Sequence, residues 1–157
     1  MDKRTLIVGI GNNGRGDDGL GWKFADEAAA WEGVDVEYRY QLQVEDAAMI
    51  KDYRTVIFVD AIANSLPDGF AFNDCEPKPT PSFTTHRLSP GTVLWLCREL
   101  YGVMPKAYTM AIEGVQFELG GSLSEPAGEN LVRAVANLEE RFSPSWSFKM
   151  KDYENTN

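Results

Sequence analysis

"TLIVGIGNNGRGDDGLGWKFADEA" (residues 5–28) passes from a strand pattern through a glycine-rich turn into a helix pattern. Residues 5–10 are a continuous apolar run, of the kind buried on both faces of a parallel sheet. From about residue 18 to 31, Leu20, Phe24, Ala28 and Trp31 recur at helical spacing and share one face. Gly33 stands just beyond them as the expected C-cap. Strand, turn and helix in this order open an α/β alternation.

The alternation continues along the chain. "VDVEYRY" (34–40) reads as a second strand, with Val34, Val36, Tyr38 and Tyr40 on alternate positions, and "VEDAAMIKDY" (44–53) as a short helix. "TVIFVDAI" (55–62) is the clearest strand, apolar until Asp60. "GFAFNDC" (69–75) is a further strand, whereas three closely spaced prolines in "EPKPTPSFTTH" (76–86) exclude helix and sheet interior. "LSPGTVLWLCRELYG" (88–102) carries a full set of helix signals: Ser89 as N-cap, Pro90 at the first position and Gly102 past the end. "KAYTMAIEGVQF" (106–117) completes the strands. "PAGENLVRAVANLEERF" (126–142) is a closing amphipathic helix, in which Leu131, Val135 and Leu138 face the core. The expected fold is an α/β sandwich with a largely parallel sheet. It forms one domain over residues 1–142, followed by a loosely attached polar and aromatic tail, 143–157, in which Trp146 and Phe148 are the docking candidates.

A chain of 157 residues can bury a core without disulfides or metals. Its net charge of −9 disfavours nucleic acid and anionic membranes as partners. The apolar stretch near the N-terminus is five or six residues long, short of a signal-peptide core, and no run reaches the length of a membrane helix. Cys75 and Cys97 form neither a CxxC motif nor a disulfide framework, so a reduced, cytoplasmic protein is expected. Neither cysteine reads as a nucleophile: Cys97 falls inside a helix, and Cys75 lacks a flanking basic pair. There is no GxSxG elbow.

Three residues fall where an open α/β sheet makes sites, at the carboxyl ends of strands. Asp18 follows the first strand, Asp60 closes the "VIFV" run, and His86, the single histidine, precedes the Ser89 helix. Two carboxylates and an imidazole suit a borderline divalent metal, and equally suit acid–base work. Each has a plainer alternative: Asp17 or Asp18 as a helix N-cap, Asp60 as a partner of the next turn's backbone, His86 as a solvated loop residue. Glu113 near a late strand end is a supporting or turn residue. Gly9, Gly11 and Gly14 also spell GxGxxG, and Glu37 could mimic the ribose-binding acid of a dinucleotide site. Against that reading, the helix opens late and two carboxylates stand where a pyrophosphate would lie, with only Arg15 nearby to offset them.

"GIGNNGRGDDGLG", "VIFVDAI" and "THRLSPGTVLWL", in this order and spacing, resemble the hydrogenase maturation endopeptidases. These enzymes remove the C-terminal extension from the large-subunit precursor of nickel–iron hydrogenases. The likeness extends through "AIEGVQFELGGSLSEPA" and covers about residues 5–142, with "AIEG" where relatives tend to carry a "GIEP"-like turn. The resemblance implies a three-layer α/β sandwich with a twisted, largely parallel sheet between helices. It also implies that Asp18, Asp60 and His86 form a nickel site that is both metal-binding and catalytic. The nickel is then supplied by the substrate, bound to the precursor's cysteines, and no cofactor is held tightly by the free protein. A monomer whose partner is the hydrogenase precursor is expected. A nucleotide-binding α/β domain and a non-catalytic assembly chaperone are the alternatives.

Overall fold

The computed structural model describes residues 4–80 and 88–142. The expected tail, 143–157, lies outside them, as does His86. Five strands form one sheet: β1 (Thr5–Ile10), β2 (Val34–Arg39), β3 (Thr55–Ile62), β4 (Phe70–Asp74) and β5 (Lys106–Glu113). Their order is β2-β1-β3-β5-β4. The first four in that order run parallel, and β4 closes the sheet antiparallel to β5. Among the described residues, four helices cover the two faces: α1 (Leu20–Ala28), α2 (Asp46–Ile50), α3 (Pro90–Tyr101) and α4 (Glu125–Phe142). This is the expected three-layer, largely parallel α/β sandwich.

Strand pleating sorts the core into two halves. Leu6 and Val8 of β1, with Val56 and Phe58 of β3, pack against Ile50 of α2 and Leu94 of α3. Ile7, Ile57 and Val59 project to the other face, against Leu20 and Phe24 of α1 and Leu138 of α4. Because β1 and β3 are covered on both faces, their sequences are continuously apolar rather than alternating. Helix α3 starts and stops where its signals predict: the Ser89 hydroxyl accepts the Thr92 N–H at 3.1 Å, and Gly102 ends it at φ 72°.

The first helix is shorter than its pattern. Residues 16–19 form a 3-10 turn, and α1 spans only Leu20–Ala28. Trp31 lies beyond the helix yet still meets Phe24 edge-on, with ring centroids 6.1 Å apart. Helix α1 lies close against the sheet. A Cβ on Gly21 would sit 2.5 Å from the carbonyl oxygens of both Ile10 and Val59, so the first turn of α1 rests directly on strand backbone. On the other face, α2 is confined to Asp46–Ile50. Strand β5 ends at Glu113, before the expected 117, because the chain then turns to bond the 3-10 segment. Among the described residues, no helix is long and apolar enough to cross a membrane.

Candidate functional site

After β1 the chain goes to β2 on one side, and after β2 it crosses to β3 on the other. The carboxyl ends of β1 and β3 therefore flank the point where the winding reverses, which in open α/β sheets is where ligands bind. Asp18 and Asp60 both lie at this edge. Asp60 is the sixth residue of β3 and the next position, after Val56 and Phe58, on the face covered by α2 and α3. There the helical cover runs out. Asp60 is half-buried and lines a cleft of about 210 Å³ with Ile10, Gln41, Leu42, Leu88, Ser89 and Pro90. Its Oδ1 accepts the Ala61 N–H at 2.8 Å.

Asp18 sits in the 3-10 turn, which packs against β3. Its side chain caps no helix; Oδ2 accepts the Asn12 N–H at 2.9 Å, across the turn that leaves β1. Gly11 makes this possible: its φ is 138°, and a Cβ there would lie 2.1 Å from the Asp18 carbonyl oxygen. His86 belongs to residues 81–87, outside the described chain. Two residues later Leu88 donates its N–H to the Leu42 carbonyl at 3.4 Å and lines the Asp60 cleft.

Asp17 has a different fate from its neighbour. It is completely buried, and its carboxylate accepts the N–H groups of Val115 (2.8 Å), Gln116 (2.9 Å) and Ser124 (2.8 Å) and the Ser124 hydroxyl (2.7 Å). Burial alone would push its pKa up. The Val115, Ser124 and Gln116 donors outweigh that and hold it below the ordinary 3.8. Folded protein thus binds fewer protons here than unfolded chain. The stabilisation is complete above the ordinary carboxylate pKa and is lost as pH falls through the lower folded value. Urea midpoints measured between about pH 3 and 6 are expected to fall more steeply with acid in the wild type than in Asp17→Asn. Parallel curves would mean that this charge carries none of the acid sensitivity.

The remaining candidates have structural partners. Glu113 Oε1 accepts the Leu66 N–H at 2.7 Å and fixes the loop before β4, which makes it the turn residue of the two expected roles. Glu37 pairs with Arg39 at 3.3 Å. Arg39 also binds the buried Asp46 at 2.9 Å, and Asp46 accepts the Gln43 N–H at 2.8 Å, so the pair spans the segment that carries Gln41 and Leu42. Sequence reasoning passed over that pair, since no spacing marks it. The face of Gly9 is filled by α1 backbone, 2.4 Å from a Cβ there to the Gly21 oxygen, and that of Gly11 by Asp18, so neither glycine offers a surface to a pyrophosphate. Cys97 is buried and donates to the Val103 carbonyl, and burial pushes its thiol pKa up. Burial, with Glu76 nearby, pushes Cys75 up to about 11. Neither is an activated nucleophile.

These features define a three-layer α/β protein with two carboxylates presented at its topological switch point. No protein-family model and no curated protein sequence matches the chain, but solved structures do. The hydrogenase maturating endopeptidase HybD of E. coli superposes with a TM-score of 0.69 at 18% identity, over 90% of this chain and 93% of that one. The [NiFe] hydrogenase maturation protease HycI of Thermococcus kodakarensis gives 0.64 at 27% identity, over 88% and 91%. The solution structure of the endopeptidase HycI of Escherichia coli gives 0.65 at 18%, over 88% and 90%. The chain thus shares the fold of these hydrogenase maturation endopeptidases.

Proposed function

We propose that the chain is an endopeptidase that removes the C-terminal extension of a nickel–iron hydrogenase large-subunit precursor. In this reading Asp18, Asp60 and His86 engage the nickel that the precursor carries. The observation that carries it is the placement of two half-buried carboxylates at the switch point of the sheet, Asp60 near the end of β3 on an open cleft and Asp18 in the turn that follows β1, in a fold shared with named maturation proteases.

Two carboxylate oxygens and one imidazole are an incomplete ligand set for a borderline divalent ion. The precursor's own ligands and water complete it, so recognition of the inserted metal stands in for a deep side-chain pocket. Held this way, the scissile peptide bond lies next to the acids, and peptide hydrolysis gains from fixed geometry and from a carboxylate able to take a proton from the attacking water. The protein itself holds no metal tightly and acts as a cytoplasmic monomer.

The test mixes nickel-loaded and nickel-free precursor with the protein and weighs the products by mass spectrometry. Loss of a C-terminal peptide only from the loaded form is the expected result. Equal cleavage of both forms would keep the protease and discard nickel as the key. No cleavage of either by folded protein would favour an assembly chaperone, or a nucleotide-binding domain if a dinucleotide raised its melting temperature.

A further inference from the structure

Two adjacent acids on one turn have been sorted by the fold into opposite environments. The hydrogen bonds of Asp18 stay within its own loop: Oδ2 accepts from Asn12, and its N–H donates to the Arg15 carbonyl at 3.0 Å. Those of Asp17 leave the loop and reach residues 98 to 107 positions away. The backbone answers in kind, with the Asp17 N–H on the Gln116 carbonyl at 2.7 Å and the Gly120 N–H on the Gly14 carbonyl at 2.8 Å. Ser124 also accepts the Ala127 N–H at 3.3 Å, as an N-cap does in the first turn of α4.

We propose that Asp17 is a positioning residue for Asp18: its carboxylate bolts the turn carrying Asp18 to the loop between β5 and α4. The role of Asp18 in this assignment rests on the endopeptidase reading; the bolt does not. Four donors converge on the Asp17 carboxylate from two directions, three at Oδ2 and one at Oδ1. An amide of the same size has a single acceptor oxygen and turns its NH2 toward donors on the other side, leaving buried groups unpaired. The 3-10 turn is then held to the β5–α4 loop chiefly through two backbone bonds, from the Asp17 N–H to Gln116 and from the Gly120 N–H to Gly14 just ahead of the turn. Because Asp18 is the next residue, its carboxylate moves with that turn.

The Asn12 amide reports on Asp18 without any need for activity, since it donates to that carboxylate. Native-state hydrogen exchange followed by NMR on the full chain is expected to show the Asn12 amide opening about tenfold faster in Asp17→Asn. Amides of Ile7 and Ile57 in the central strands should keep their protection. Processing of nickel-loaded precursor is expected to fall about 100-fold, the scale of loss for a misplaced reacting group. Unchanged Asn12 exchange and unchanged processing, with Val115 and Gln116 opening, would overturn the proposal and leave Asp17 as a fastener of the other loop. Should Asp17→Asn fail to fold, Ser124→Ala keeps the carboxylate and removes one donor. A severalfold rise in Asn12 exchange there supports the bolt, and none overturns it. Wild-type protein that processed no precursor would remove the endopeptidase reading, while the Asn12 measurement would still decide the bolt.

Discussion

Asp60→Asn is expected to slow processing of the nickel-loaded precursor by more than about 100-fold, a loss at the upper end of what removal of even an outer partner of a metal ligand causes. The melting temperature should move by only a few degrees. Asparagine has the same volume and keeps an acceptor for the Ala61 N–H. What it loses is the charge that the strand end presents to the cleft, beyond the buried run Val56–Val59. Mass spectrometry of the precursor and a circular dichroism melt of the variant read the two effects separately. Full cleavage by Asp60→Asn would sink the assignment of this acid to the chemistry. A collapsed melt would make it a structural residue.

Phe58→Ala should have the largest effect on stability, about 3–5 kcal/mol by urea denaturation. That corresponds to a drop in melting temperature on the order of 10 °C. Phe58 is 1% exposed and stands on β3, hydrogen-bonded between β1 and β5 and covered by α2 and α3. A cavity at the centre of a sheet cannot close by shifting one element, so the lost contacts are not recovered. Val132, 68% exposed on α4, is the contrast: its truncation to alanine should stay within about 0.5 kcal/mol. Equal losses at both positions would contradict the two-sided burial of β3.

How much of this could be read beforehand depends on where each decision is made. Strand β3 was legible residue for residue, because a fully covered strand writes its burial as an unbroken apolar run, broken here only at Asp60, where the cover ends. Helix α3 was legible from its ends, since Ser89, Pro90 and Gly102 each act within one turn of themselves. The start of α1 was not. Its pattern from residue 18 is genuine, but residues 18 and 19 belong to a 3-10 turn, 16–19, whose Asp17 is held by partners at 115–124 that no local window contains. The same distance hid the difference between Asp17 and Asp18. Asp18 was singled out as the site candidate, but nothing local shows that Asp17 is the buried one; the late loop decides that. The acid at the end of β3 was found because it interrupts a pattern. Arg39 and Asp46, paired across the segment that carries Gln41 and Leu42, interrupt none.

The contact between Asp17 and Ser124 also bears on when the candidate site is put together. The two residues are 107 positions apart. During synthesis, roughly 5 to 20 s separate the appearance of the one from that of the other. Contacts of such long sequence separation close late in folding, after local helices and neighbouring strands have formed. A nascent chain therefore holds both candidate acids while its glycine loop is still unfastened. The arrival of residues 115–124 then fastens the loop, so that the candidate site is put together only when the stretch between β5 and α4 is in place.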